Sequence, residues 1–389
     1  MTSSGAYMYG SLPDNLQTQF YNASLDDFAT VLLAMKTIDG SEVPEVFAPS
    51  RQEILQAGMT AREFIKACSF DSDYCDFTDF HQWQNGVYGN CFTFNSVFSR
   101  MNETHHGLGK EHLQHIKTTT HYGARYGLRL MLNVSLDEYM MAVTPSIGVR
   151  VTIHHPQQVP FPEDNGFNVA VRSRTSVSVR RGEVHRVPKP HGNCHTDDEW
   201  NKKWAGAYRS EGCLIVCLEQ RIRERCSCVR TLNTILMPVE RHGRCNPTNQ
   251  TQDECVAKIR LDFLHDLEPC DCRPPCMEKT YTTGLSFDED NDEFSRILED
   301  VKGIQTPVDA VKVHVYMESL SANVIKEAPA FTEVTLIANV GGSFGLFIGL
   351  SLVTIVELLE FLCDFLAMGF ARLRFSDRPV GHRKVASAP

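Results

Sequence analysis

Three patterns of hydrophobic and polar positions divide the chain. Residues 334–356 contain no charged side chain, and this is about the 20 residues that a helix needs to cross a bilayer. Residues 125–134, 145–194 and 311–317 alternate between apolar and polar positions, which is the period of strands. Residues 51–70 place apolar side chains at helical intervals and predict a pair of short amphipathic helices. The patterns predict an α+β fold followed by one C-terminal transmembrane helix.

The apolar run continues to Phe370, but its second half carries three acids, Glu357, Glu360 and Asp364. Helical spacing of three and four residues puts them on one stripe. Ionised carboxylates inside a membrane cost roughly 2.5 kcal/mol or more each, and they usually line water or pair. The stripe therefore predicts a path for cations. The alternative is that the span ends near Val356 and the acids lie in the interfacial layer.

Basic residues follow the apolar run, and small residues lie within it. Residues 371–389 carry a single acid against five basic side chains, Arg372, Arg374, Arg378, Arg383 and Lys384. By the positive-inside rule this tail is cytoplasmic. The middle of the run contains glycines that let helices approach closely or let a helix break, namely Gly341, Gly342, Gly345 and Gly349.

Residues 341–345 also match the G-x-S-x-G motif of hydrolases. That motif needs a strand before it, and an acid and then a histidine after it. Only His382 follows, in the basic tail. The motif therefore does not predict a hydrolase.

Composition narrows the class of protein. The chain has 389 residues, 42% of them hydrophobic and 9% aromatic, which is enough for two or three packed units beside a span. Its formal net charge is -10 although the tail is basic, so the part before the span is distinctly acidic. This balance argues against nucleic acid as a partner and suits a surface that gathers cations.

Fourteen cysteines indicate the compartment, since thirteen precede the span and only Cys363 lies within it. Cytosolic proteins rarely keep so many clustered thiols, so disulfides outside the cell are expected. Zinc is the weaker hypothesis, because the C-x-C spacings differ from the C-x-x-C of structural zinc sites, and no metal is predicted. Four glycosylation sequons agree with an extracellular domain, at Asn22, Asn102, Asn133 and Asn249.

Several stretches together resemble the degenerin, epithelial sodium channel and acid-sensing channel family. GGSFGLFIGLSLVTIVELLEF is similar to the family's second transmembrane helix, and GVYGNCFTFN, RYGLRLMLNV and the PFPEDNGF stretch are similar to its extracellular signatures. The resemblance implies one subunit of a homo- or heterotrimeric, amiloride-sensitive channel in the plasma membrane. It implies Na⁺ as the permeant ion, no cofactor, a large extracellular domain and related subunits as partners.

The resemblance also assigns roles to residues of the span. Gly349, Leu350 and Ser351 fall at the selectivity tract, where Leu350 departs from the small residue that the family usually has. Ala338 falls at the position where bulky substitutions hold family channels open. Outside the span, His191 stands where the family has an aromatic residue.

The cysteine pairing is likewise implied by the resemblance. The pairs are Cys68 with Cys75, Cys194 with Cys276, Cys213 with Cys272, Cys217 with Cys270, Cys226 with Cys255, and Cys228 with Cys245. Cys91 is left unpaired, because its family partner lies just after a first membrane helix. Residues 1–50 contain neither such a helix nor a signal peptide. We therefore expect that the chain is truncated at its N-terminus.

The resulting domain prediction has seven segments. They are a poorly ordered or incomplete segment (1–50), a finger-like helical region (51–115), palm and β-ball strands (116–193), a cysteine-rich thumb (194–276), a knuckle with the closing palm strand (277–332), the transmembrane pore helix (333–370) and the cytoplasmic tail (371–389). Residues 86–95 and 125–134 are expected as strands of one mixed sheet.

The predicted function is that of a ligand- or mechanically gated sodium channel subunit in the lipid bilayer, blocked by amiloride-type compounds. Two alternatives remain open. One is a nonconducting truncated subunit that modulates full-length partners, and the other is a single-span receptor or adhesion ectodomain. An enzyme is not predicted, because His154, His155, His191 and His195 are scattered among strand and turn residues.

Overall fold

The computed structural model describes residues 2–4, 50–100, 116–136, 146–196, 200, 204, 206–230, 233–236, 243–246, 249–303, 307, 309–349 and 351–376. Asn22, Asn102 and residues 377–389 of the predicted tail lie outside these ranges. The chain divides into two compact units, Met1–Glu327 and Ala328–Pro389. The first unit mixes strands and helices and contains six disulfides, so the prediction of a disulfide-rich α+β domain is confirmed.

The described residues form eleven strands. These are β1 (Thr2–Ser4), β2 (Ile65–Phe70), β3 (Asp73–Cys75), β4 (Phe80–Asn85), β5 (Gly89–Phe94), β6 (Leu128–Asn133), β7 (Val149–Thr152), β8 (Gly166–Val169), β9 (Ser173–His185), β10 (Met277–Glu289) and β11 (Ala310–Lys326). The helices in the same ranges are α1 (Arg51–Ala57), α2 (Ala61–Phe64), α3 (Pro162–Asn165), α4 (Ser210–Cys226), α5 (Gln250–Leu264), α6 (Asp292–Lys302), α7 (Glu333–Ile348) and α8 (Leu352–Ser376).

The smaller sheet is antiparallel, with the order β4-β5-β1-β7-β8. Strand β5 is buried at all six positions, because it lies inside the sheet and both of its faces are covered. Near it the Trp83 indole N–H donates to Thr93 Oγ1 at 3.0 Å, which satisfies a buried donor.

The larger sheet has the order β10-β9-β11-β6-β2-β3. Its β9 and β11 strands are parallel, and every other neighbouring pair is antiparallel. The core of the first unit includes side chains with no exposed surface on three of these strands, Leu132, Val177 and Val311. Burial of such side chains is the main favourable term in folding.

Two sequence expectations differ from this topology. The stretches 86–95 and 125–134 both form strands, but β5 belongs to the smaller sheet and β6 to the larger one. The prediction that they share one mixed sheet is therefore wrong. Alternation of apolar and polar residues identifies a strand but does not show which strands pair with it. Here β5 pairs with β4 and β1, whereas β6 pairs with β11 and β2.

The second difference concerns the region 51–115, which the sequence predicts as helical. Helices α1 and α2 are present, and each begins with a capping box, Ser50 with Glu53 and Thr60 with Glu63. The chain then enters four strands, β2 to β5. Pairing of β2 with β6 overrides the short helical pattern, as tertiary contacts commonly override local propensity.

Helices α4 and α5 contain four cysteines, and the segments that flank them contain most of the others. Their buried side chains Ile222, Val256 and Ile259 form a small core with Cys226 and Cys228. Helix α4 ends at Ser227, which adopts the left-handed conformation with φ 56°. A left-handed residue is a common end to a helix, and it lets the chain turn away before α5.

Candidate functional site

The candidate pore segment consists of the two helices of the second unit. Among the described residues, no single helix is both long and apolar enough to cross a bilayer. Glu333–Phe347 and Leu352–Arg372 meet that requirement only as a pair, bent by 86° at a short break. The sequence predicts one continuous helix over 333–370, and the structure divides it into α7 and α8.

The break falls at the predicted selectivity tract. Gly349 ends α7 in the left-handed conformation, with φ 69° and ψ 22°, and its N–H donates to Phe344 O. Glycine adopts this conformation without a steric penalty. The Thr354 N–H donates to Ser351 Oγ at 3.3 Å, so Ser351 caps the start of α8. Leu350 lies outside the described residues.

Capping accounts for both helix starts in this unit. The Thr335 N–H donates to Thr332 Oγ1 at 3.2 Å at the beginning of α7. Ala338 lies within this helix, about 16 Å before Gly349 at the usual helical rise. Ser343 is also inside α7 rather than on a turn between a strand and a helix, so residues 341–345 lack the geometry of a hydrolase nucleophile.

The three acids lie on α8, at positions i, i+3 and i+7 of one continuous helix. Glu357, Glu360 and Asp364 therefore share one face, as the sequence predicts. The rings of Phe361 and Phe365 stack on a neighbouring stripe, with centroids 6.4 Å apart. The helix thus presents a carboxylate stripe beside an apolar one.

Disulfides brace the candidate regulatory domain. The pairs in the structure are those that the resemblance implies: Cys68–Cys75, Cys194–Cys276, Cys213–Cys272, Cys217–Cys270, Cys226–Cys255 and Cys228–Cys245. The last five are nested, because their sequence separations of 82, 59, 53, 29 and 17 residues enclose one another. Only Cys226–Cys255 joins α4 directly to α5, and two others join α4 to the segment after α5.

Arginines on α4 add polar contacts to these five nested disulfides. Arg225 donates to both carboxylate oxygens of Glu268 at 2.8 Å. Arg221 donates to the main-chain oxygens of Glu268 and Pro269. The segment that follows α5 is therefore fixed to α4 by hydrogen bonds as well as by disulfides.

An ion pair joins β9 and β11 where their register shifts, between Met317 and Ala322. Arg180 donates to the two carboxylate oxygens of Glu318 at 2.7 Å each. Through these bonds Arg180 holds the pKa of the Glu318 carboxyl below its ordinary value. This pair could not be predicted from the sequence, because 138 residues separate its two members.

The remaining predicted residues are placed as follows. Cys91 is a free, fully buried thiol whose pKa is raised by burial, and Cys363 is free and exposed. Asn249 is exposed at the start of α5, where its side-chain oxygen accepts the Gln252 N–H. Asn133 is only partly exposed, at the end of β6, and donates to Ser135 Oγ at 2.9 Å.

The four histidines do not converge on one site. His154 is buried and its Nδ1 lies 3.0 Å from His155 O, whereas His155 Nε2 lies 3.0 Å from Lys279 Nζ. Burial, reinforced by Lys279, lowers the pKa of His155 to about 4. His195 packs on Tyr208, and His191 is exposed. Within the described ranges, no cluster of three or more His, Cys, Asp or Glu side chains could hold a metal ion.

Comparison with known proteins gives one consistent result. A profile of the family described as amiloride-sensitive sodium channel matches residues 11–361. The chain is 30% identical over 338 residues to degenerin unc-8 of Caenorhabditis elegans, covering 82% of this chain and 41% of that protein. It is 27% identical over 363 residues to degenerin mec-10 of the same organism, with coverages of 89% and 45%.

A vertebrate relative gives the same picture. Epithelial sodium channel subunit alpha of Xenopus laevis is 24% identical over 334 residues, which cover 83% of this chain and 51% of the relative. The chain therefore spans about half the length of these relatives or less. The match covers the domain with the disulfide ladder and most of the broken helix pair.

Proposed function

The chain belongs to the amiloride-sensitive sodium channel family, and on that premise we propose that it is a subunit of a gated sodium channel in the plasma membrane. The family is one of ion channels rather than enzymes, in agreement with the prediction from the sequence. Its relatives are named as degenerins and as sodium channel subunits. The proposal adds that this chain lines the pore with α7 and α8.

The main support for this proposal is the helix break at Gly349 and Ser351. Two helices bent by 86° would expose main-chain groups in a bilayer, and such groups are tolerated there only where they line a water-filled cavity or are buried in protein. The carboxylate stripe of α8 follows directly. This order supports a constriction at 349–351 with Glu357, Glu360 and Asp364 beyond it.

The small residues of α7 support assembly with other subunits. A Cβ added to Gly341 or Gly342 would meet no atom within 4 Å in the described part of the chain. Contacts with the described residues therefore do not require their small size. Close helix approach is the usual reason for such residues in membranes, so we propose a homo- or heterotrimer with related subunits around the pore.

The remaining parts of the proposal concern topology and gating. The first unit, with its disulfides and sequons, is assigned to the extracellular side, and residues 371–389 to the cytoplasm. We retain the seven-segment division into N-terminal segment, finger, palm with β-ball, thumb, knuckle, pore helix and tail, and we add strands to the finger. A ligand or a mechanical stimulus acting on the braced thumb would open an amiloride-sensitive path for Na⁺.

The test is a recording of sodium current from cells that express the chain, alone and with a related degenerin, before and after substitution of Ala338 by Phe. The expected result is a constitutive, amiloride-sensitive current from Ala338→Phe. Leu362→Phe, on the face of α8 opposite the three acids, is the control and should leave the current at the parent level. Suppression of the partner's current by the chain would instead identify a nonconducting modulatory subunit. Unchanged currents from a surface-expressed Ala338→Phe subunit would contradict the pore assignment.

A further inference from the structure

The break between α7 and α8 contains a pair of hydroxyl groups beside the residue that caps α8. Ser351 Oγ accepts the Thr354 N–H at 3.3 Å, and the same Oγ lies 3.1 Å from Thr354 Oγ1. The two side chains are therefore joined by a hydrogen bond in addition to the cap. Ser351 belongs to the proposed selectivity tract, whereas Thr354 lies one turn beyond it.

The Ser351 hydroxyl has one proton to donate and two lone pairs that can accept a hydrogen bond. One lone pair accepts the Thr354 N–H. If Thr354 also donated its hydroxyl proton, the second lone pair would be used, and only the Ser351 proton would remain for other partners. If Ser351 donates to Thr354 Oγ1 instead, its second lone pair stays free. Only this second arrangement offers an oxygen lone pair to a cation.

Thr354 also lies beside the carboxylate stripe of α8. Thr354, Glu357 and Glu360 follow one another at intervals of three residues on one continuous helix. Residues three apart are neighbours on a helix surface. The hydroxyl pair therefore occupies the first turn of α8 at the end of the stripe. Cations that the carboxylates attract would meet the hydroxyl pair as the next polar group on that side of the helix.

The same two contacts occur at the start of α7, away from the break. Thr332 Oγ1 accepts the Thr335 N–H at 3.2 Å and lies 2.8 Å from Thr335 Oγ1. Both helices thus begin with a capping hydroxyl that is bonded to a threonine hydroxyl three residues later. Capping stabilises both helix starts in the same way. A difference between the two sites in their effect on ion permeation therefore cannot come from capping alone.

We propose that Thr354 is a positioning residue of the selectivity tract, which accepts the Ser351 hydroxyl proton and so keeps one lone pair of Ser351 Oγ free for the permeant cation. Channel filters replace the hydration shell of an ion by oxygen atoms, and Ser351 supplies one such atom. Loss of the Thr354 hydroxyl leaves the Ser351 proton free to turn towards the ion. This role rests on the proposed function, since it requires that Na⁺ passes Ser351.

The test compares Na⁺ and K⁺ permeability, from reversal potentials, in cells whose sodium current depends on this chain. Thr354→Val keeps the shape of the side chain but removes its hydroxyl. It should lower the ratio of Na⁺ to K⁺ permeability by about threefold or more, a factor within the range that one hydrogen bond contributes. Thr354→Ser keeps the hydroxyl and should retain the parent ratio.

Two controls separate positioning of Ser351 from a general effect on the helix. Thr335→Val removes the matching hydroxyl at the start of α7 and should leave the permeability ratio unchanged. In a chain that already carries Ser351→Ala, Thr354→Val should change the ratio no further, because no hydroxyl is left to position. Surface labelling shows which variants reach the plasma membrane, and Thr354→Ala replaces Thr354→Val if the latter does not.

The other outcomes contradict the proposal. An unchanged ratio in a Thr354→Val chain at the cell surface would show that Ser351 does not need Thr354. A further fall in the Ser351→Ala chain would show that Thr354 acts on the ion directly. An equal fall from Thr335→Val, or a Thr354→Ser chain as unselective as Thr354→Val, would trace the effect to helix capping or side-chain shape. These results leave the proposed function intact, whereas absence of sodium current from the parent chain with related partners would contradict the proposed function and the role of Thr354 with it.

Discussion

The two units of the chain use apolar residues in opposite ways. In the first unit, Leu132, Val177 and Val311 have no exposed surface, and nested disulfides close the loops around α4 and α5. In the second unit, Leu346, Phe347 and Leu352 are exposed at 80%, 82% and 79%. The first unit buries a hydrophobic core within the chain. Within the described ranges the second unit leaves these side chains uncovered, which is the physical basis for proposing that it lies in the membrane.

A Leu→Ala substitution, made once in each unit, should change the free energy of unfolding more than any other change proposed here. Leu132→Ala should lower the free energy of unfolding of the first unit by about 2 to 5 kcal/mol, because it leaves a cavity in a packed core. Leu346→Ala should leave it unchanged, since that side chain is exposed. Thermal unfolding of the full chain in detergent, followed by tryptophan fluorescence, checks both. Equal destabilisation by the two variants would remove the contrast between the units.

Removal of one of the five nested disulfides should have the next largest effect on the free energy of unfolding. Cys226→Ser removes the cross-link that closes a loop of 29 residues. It should lower the free energy of unfolding by about 2 to 4 kcal/mol, because the unfolded chain gains conformational freedom. Cys363→Ser is the control, because that thiol is free. Urea unfolding curves of the two variants compare them. A stable Cys226→Ser protein would mean that the hydrogen bonds from Arg221 and Arg225 suffice to hold the thumb.

Acid should weaken the first unit through a histidine. Burial lowers the pKa of His81 from 6.5 to about 4, so the folded state prefers the neutral ring. The resulting stability is fully present above pH 6.5 and is lost as the pH falls towards 4. The loss is at most about 3 kcal/mol. Unfolding free energies measured between pH 7 and 4 should fall less steeply for His81→Gln than for the parent chain.

The smallest effect separates two of the predicted glycosylation sites. Asn249 is exposed, whereas Asn133 lies at the end of a paired strand and is only partly exposed. Asn249→Gln should therefore remove one glycan and shift the electrophoretic mobility, and Asn133→Gln should not. Glycosidase treatment of each variant checks the assignment. A glycan found on Asn133 would show that β6 is open to the modifying enzyme before the sheet closes.

Local pattern predicted the kinds of element better than their neighbours. The alternation in residues 125–134 predicted β6, because that pattern depends on residues close in sequence. The apolar run predicted one helix over 333–370, which the structure divides into α7 and α8. The sheet assignment of β5 and the Arg180–Glu318 pair depend on contacts over many residues, which no local pattern encodes. The exposed apolar face of α6, with Phe294, Ile297 and Val301, could not be predicted either, since an amphipathic helix normally covers a core.

Local sequence pattern also does not determine the cysteine pairs or the position of the helix break. Spacing alone leaves many pairings of twelve cysteines open, and only the family resemblance selected the set that the structure contains. The glycines of the span indicated that a break was allowed. The position of the break required the left-handed conformation at Gly349 and the cap at Ser351, which the apolar run conceals.

A pore at the break between α7 and α8 can be tested directly by the accessibility of Ser351 to a charged reagent during current recording. A chain with Ser351→Cys and Cys363→Ser is expressed with its partners and exposed to a positively charged methanethiosulfonate. We expect the sodium current to fall when the reagent is added and to be unaffected in the Cys363→Ser parent. A sodium current that passes unchanged through the modified Ser351→Cys protein would contradict a pore at the break between α7 and α8.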